Sequence, residues 1–152
     1  MGTDQFEKQG VVLLAQSDGC AVWQFRNDTG DGTMTVYEVF PGVMLTFNDF
    51  HMGSFQSSYV ADRRLFAIDH CREGRLEFQY GQAHFFLAPG DLAVLRCDAA
   101  RSAVSFPTGH YHGISVMVDP QRAPQCLSCI LQDVNVRPAA LAEKFCAGSE
   151  YF

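Results

Sequence analysis

Short apolar runs alternate with polar residues over most of the chain. Their period is close to two, not the roughly 3.6 of a helix, so strands are predicted between residues 11 and 118. The predicted strands cover 11–15, 21–26, 33–40, 43–50, 65–71, 75–80, 83–87, 92–96, 102–106 and 111–118. Turn chemistry stands between them: Asn27-Asp28-Thr29-Gly30-Asp31-Gly32, Pro41-Gly42 and Ala88-Pro89-Gly90-Asp91. Arg72-Glu73-Gly74 reads as a tight hairpin connection, with Gly74 able to take a positive φ. Many short strands at even spacing predict a barrel or sandwich.

The pattern changes after Asp119, where Pro120 and Pro124 stop the strands. Leu127, Ile130, Leu131 and Val134 then recur at helical spacing and predict an amphipathic helix. Pro138 suits the first turn of a second helix, whose apolar stripe is Leu141 with Phe145. The expected class is mainly β, a barrel or sandwich over 1–119 followed by two C-terminal helices in 120–152 of the same domain. The stripe Leu127, Ile130, Leu131, Val134 has two possible destinations, its own barrel and a second copy of the chain.

Composition narrows the class. With 152 residues and 47% hydrophobic content, one core forms without disulfides or metals. A net charge of −6 with scattered Lys and Arg argues against this segment gripping a phosphate backbone. The stretch from Met1 to Gly10 is polar and lacks a signal-peptide pattern, so the six cysteines predict a reduced, cytoplasmic protein. No apolar run approaches the roughly 20 residues that span a bilayer, and no membrane partner is expected.

Candidate chemistry is concentrated in two stretches. Phe86-Leu87-Ala88-Pro89-Gly90-Asp91-Leu92, followed by Pro107-Thr108-Gly109-His110-Tyr111-His112, resembles the cupin pattern of a Pro-Gly-Asp turn before a histidine-bearing strand. His110 and His112 lie two apart and share a sheet face, but two ligands need a third, from His51, His70, Glu73 or His84. The expectation is no metal and no cofactor, with both histidines hydrogen-bonded or serving as donors to a small ligand. Cys126 and Cys129 fall within the helix stripe, where cysteine acts as a small hydrophobe and not as a redox pair. Asp69, His70 and Cys71 alternate between faces of one strand, which excludes a local triad.

Asn48-Asp49-Phe50-His51-Met52, His70-Cys71-Arg72-Glu73-Gly74-Arg75 and Gly109-His110-Tyr111-His112-Gly113-Ile114, in that order around the Pro89-Gly90-Asp91 turn, are similar to the sensor half of AraC-type bacterial transcription regulators. The resemblance covers roughly 11–145. It implies a cupin-like jelly-roll β-barrel, then a helical segment through which the chain forms a homodimer, then two helix-turn-helix units, of which the last lie beyond Phe152. The implied role is effector binding and dimerisation without catalysis, with DNA contacted only through the C-terminal half that this sequence lacks. Arg72, Glu73, His110, Tyr111 and His112 are the expected ligand-binding residues, inside or at the mouth of the barrel. Leu127, Ile130, Leu131 and Val134 are the expected dimer interface. Replacing Tyr111 and His112 together is expected to abolish effector binding with folding intact. The alternatives are a stand-alone cupin metalloenzyme, an oxygenase or isomerase using His110 and His112, and a small-molecule carrier.

Overall fold

In the computed structural model, which describes residues 10–56, 65–80, 82–97, 103–124 and 136–146, the alternating runs pair into two antiparallel sheets. The elements are β1 (Val11–Ser17), β2 (Cys20–Asn27), β3 (Gly30–Phe40), β4 (Val43–His51), β5 (Ser54–Gln56), β6 (Phe66–Gly74), β7 (Leu76–Tyr80), β8 (Ala83–Leu87), β9 (Leu92–Arg96), β10 (Ala103–Ser105), β11 (Tyr111–Val118) and α1 (Pro138–Cys146). The larger sheet has the order β1-β2-β3-β4-β11-β6-β9 and the smaller β5-β10-β7-β8.

The pairing is that of a jelly roll. β4 pairs with β11, β5 with β10, β6 with β9 and β7 with β8, all antiparallel, so two four-strand runs form one long ribbon. Rolling the ribbon brings β11 beside β6 and β10 beside β7, and the chain crosses between sheets at every step from β4 to β11 except that from β7 to β8. The meander β1-β2-β3 extends the larger sheet from β4.

Side-chain alternation separates two cores. Between the sheets lie Phe25, Phe50, Phe55, Cys71, Leu76, Phe78, Leu87, Leu95, Phe106 and Tyr111. Phe50 and Phe106 stack at 5.3 Å, and Phe25 meets Phe50 and Phe55 edge-on. On the outer face of the larger sheet, Val43, Phe66, Val94 and Val118 meet Leu141, Ala142 and Phe145 of α1. Pro138 opens that helix, as expected of a residue whose missing N–H costs nothing in the first turn.

Four expectations change. The Arg72-Glu73-Gly74 stretch is not a hairpin: β6 pairs with β9 and β11, β7 pairs with β8 and β10, and the positive φ of Gly74 serves a crossing from one sheet to the other. β5 was not expected, because three residues are too few to show a period. β3 begins at Gly30, with the turn confined to Asp28 and Thr29 and held by Asn27 Oδ1, which accepts from the Thr29 amide and hydroxyl at 2.8 and 2.6 Å. Among the described residues there is one C-terminal helix where two were predicted; Leu127, Ile130, Leu131 and Val134, with Cys126 and Cys129, lie outside the described residues. No helix among the described residues is long and apolar enough to cross a membrane.

Candidate functional site

β4 and β11 run side by side with Asp49 opposite His112 and Phe50 opposite Tyr111. Phe50 and Tyr111 point into the core between the sheets, so Asp49, His51 and His112 emerge on the opposite, outer face. His51 Nε2 lies 3.0 Å and His112 Nε2 3.1 Å from the same Asp49 Oδ1, and the two Nε2 atoms are 3.3 Å apart. The other nitrogen of His112, Nδ1, is 3.2 Å from Glu73 Oε2.

Glu73 reaches this place because β6 carries a bulge. Gly113 pairs with Cys71 but His112 pairs with Glu73, leaving Arg72 as the extra residue. An unbroken register would set Arg72 beside His112, so the bulge replaces a cation by a carboxylate next to the ring. Cys71 lies directly before the bulge, wholly buried, with its thiol 3.7 and 3.8 Å from the carbonyls of Glu73 and Gly74. Burial, with the Asp91 carboxylate adding to it, pushes that thiol above the usual cysteine range.

The sign of this shift fixes a prediction. The folded state disfavours the Cys71 thiolate more than the unfolded chain does, so its contribution to stability is complete below the ordinary thiol pKa of about 8.5 and falls as pH rises beyond it. Denaturant midpoints measured against pH are expected to decline in the alkaline range, and less steeply in Cys71→Ala. A parallel decline in both proteins would show that Cys71 is not the source. In the folded state Cys71 is also expected to resist alkylation, whereas Cys20 and Cys97 are only half-buried.

The predicted ligand-binding residues divide. His112 and Glu73 are joined directly, and the His110 ring lies 5.7 Å from that of His112, with Nδ1 3.2 Å from the Thr108 carbonyl. Arg72 is exposed at the bulge. Tyr111 lies on the other face from His112: it is 3% exposed, faces the core between the sheets and stacks near Phe106. Of the other proposed metal partners, His51 belongs to the cluster, His70 pairs with Ile114 further along the ladder and His84 lies on β8 in the other sheet. Asp49 was not singled out as a ligand. Its signal is the Asp-x-His alternation of residues 49–51, but only the β4·β11 register shows that His112 stands opposite.

Two clefts lie elsewhere. One of about 440 Å³ lies along the smaller sheet and includes Arg75, which bonds Glu77 at 2.6 Å and covers the Phe86 ring. The other, of about 200 Å³, opens between Phe85, Leu87, Leu92 and Leu95. Neither is lined by Arg72, Glu73, His110, Tyr111 or His112.

No protein-family model matches the chain, and no curated protein matches it either. Among solved structures it is similar to an HTH_3 family transcriptional regulator from Vibrio cholerae, with 13% identity over 56% of this chain and 50% of that one and a TM-score of 0.46. It is also similar to KdgF from Halomonas sp., with 14% identity over 70% and 84% of the two chains and a TM-score of 0.47. An RmlC-like cupin from Shewanella frigidimarina gives 14% identity over 69% and 88%, with a TM-score of 0.48. The chain thus spans half the length of that regulator. Likeness at this level carries no functional argument, and the jelly-roll description stands on the strand pairing itself.

Proposed function

We propose that this chain is the effector-binding and self-associating domain of an AraC-type bacterial transcription regulator, a binding module and not an enzyme. The observation that supports it most is convergence. The stretches 48–52, 70–75 and 109–114 that carry the resemblance are far apart in sequence, yet they lie on β4, β6 and β11, and Asp49, His51, Glu73 and His112 meet there within 3.0–3.3 Å contacts. The net negative charge fits a domain that leaves DNA to another part of the protein. Signalling requires that the effector favour one arrangement of the dimer over another, and a cluster spanning three strands of one sheet is placed to couple them. Self-association is assigned to the C-terminal segment, including Leu127, Ile130, Leu131 and Val134.

The test is a transcript profile of cells carrying His112→Ala in the chromosomal gene, beside a deletion strain and the parent. The expected result is a small set of transcription units that change in the deletion and change again, in part or in full, in the variant. Parental profiles in both strains contradict the reading and leave the metalloenzyme and carrier alternatives.

A further inference from the structure

We propose that Asp49 Oδ1, His51 Nε2 and His112 Nε2 bind one divalent late first-row transition ion of the zinc class per chain. The inference deepens the site assignment above, but it can be measured without any reference to transcription.

Three separations carry it. Donor atoms coordinated at about 2.0–2.1 Å with tetrahedral to octahedral angles stand roughly 3.0–3.4 Å apart. The three pairs here stand at 3.0, 3.1 and 3.3 Å, so the donors already describe one triangular face of such a site. The donor set, two imidazoles and a carboxylate without thiolate, suits Zn²⁺ and its neighbours in preference to Ca²⁺ or Cu⁺.

Hydrogen-bond bookkeeping points the same way. If Nδ1 of His112 donates to Glu73, the neutral ring presents a lone pair at Nε2, and that lone pair faces Asp49 Oδ1. Two electron-rich atoms at this distance repel unless something positive lies between or beside them. A metal ion removes the conflict without a second proton on the ring, and it uses the Glu73–His112 bond as the outer carboxylate that orients a ligating imidazole. Charge closes as well: Asp49 and Glu73 supply two negative charges against the two positive charges of the ion. Asp49 and His51 are about 60% exposed, which leaves a fourth position open to water or to a donor atom of a small molecule.

The strand frame makes the arrangement specific. Asp49 and His51 alternate on β4, His112 sits directly across on β11, and the β6 bulge brings Glu73 to its far side. Glu73 is a positioning residue in this scheme, because it touches the ligand and not the ion.

Equilibrium dialysis of the purified chain against micromolar Zn²⁺, and separately Co²⁺, tests it. One equivalent is expected in the parent and none at this site in His51→Ala/His112→Ala. The Co²⁺ form is expected to show visible d–d bands without a sulfur-to-cobalt charge-transfer band. Glu73→Gln is expected to keep the stoichiometry and weaken affinity by roughly 10–100-fold. If circular dichroism shows that the double variant is misfolded, the exposed single substitution Asp49→Asn replaces it, with reduced affinity as the expected result. No bound ion in the parent overturns the proposal. So does undiminished binding in the folded variants, or a thiolate band, which would assign the ion to cysteines. Absent binding together with a transcript response to His112→Ala would remove the metal and leave the regulator reading standing.

Discussion

Gly74→Ala is expected to lower stability by roughly 3 kcal/mol or more and to dismantle the site with it. Gly74 holds φ at +78°, where a side chain is strained, and a Cβ there would lie 2.1 Å from the carbonyl oxygen of His110. That neighbour is backbone, so relief requires moving β11 away from the crossing between β6 and β7. The Arg75 amide, which donates to the same carbonyl at 3.4 Å, would move too. Glu73 precedes the glycine and would lose its place against His112. Urea denaturation of the variant measures the first effect. Stability within about 0.5 kcal/mol of the parent would contradict the tightness of the crossing, because that is the range of ordinary surface substitutions.

Tyr111→Ala and His112→Ala are expected to behave as opposites, although the residues are adjacent. Tyr111 is buried against Phe106, its ring centroid 5.9 Å from that ring, and lies over Gly113, whose lack of a side chain makes room for it. Truncating a buried aromatic side chain to alanine costs about 3–5 kcal/mol, comparable to the whole stability of a marginal domain, so this variant is expected to unfold or accumulate poorly. The His112 side chain is one-third exposed and its partners are exposed carboxylates, so His112→Ala is expected to cost less than about 1 kcal/mol while removing the site. The joint substitution expected from sequence to spare folding therefore would not spare it. Thermal denaturation of the two single variants distinguishes the roles, and equal losses would contradict the assignment of faces.

The strands were legible because burial on one face imposes a period of two that survives in the sequence. β8, β9 and β11 begin and end where the pattern places them. The hairpin at Arg72-Glu73-Gly74 was misread for a physical reason. A glycine with positive φ looks the same in sequence whether it reverses a strand or carries it into another sheet, and the difference lies in pairing with distant β9 and β8. The site was half legible. Alternation put His110 and His112 on a common face and offered His51 as a partner, but which face was outward depended on Tyr111 and Phe50 facing the same core. Asp49 and the bulge that presents Glu73 in place of Arg72 are consequences of register, which no local pattern encodes.

The central claim, a sensing domain that acts on transcription through a DNA-binding part of the same protein, is tested most directly by chromatin immunoprecipitation. The native gene product would be captured from its own cells with an antibody raised against this chain. The account predicts enrichment of a few discrete promoter regions, altered in cells carrying His112→Ala. Recovery of the protein without enrichment of any promoter would contradict it.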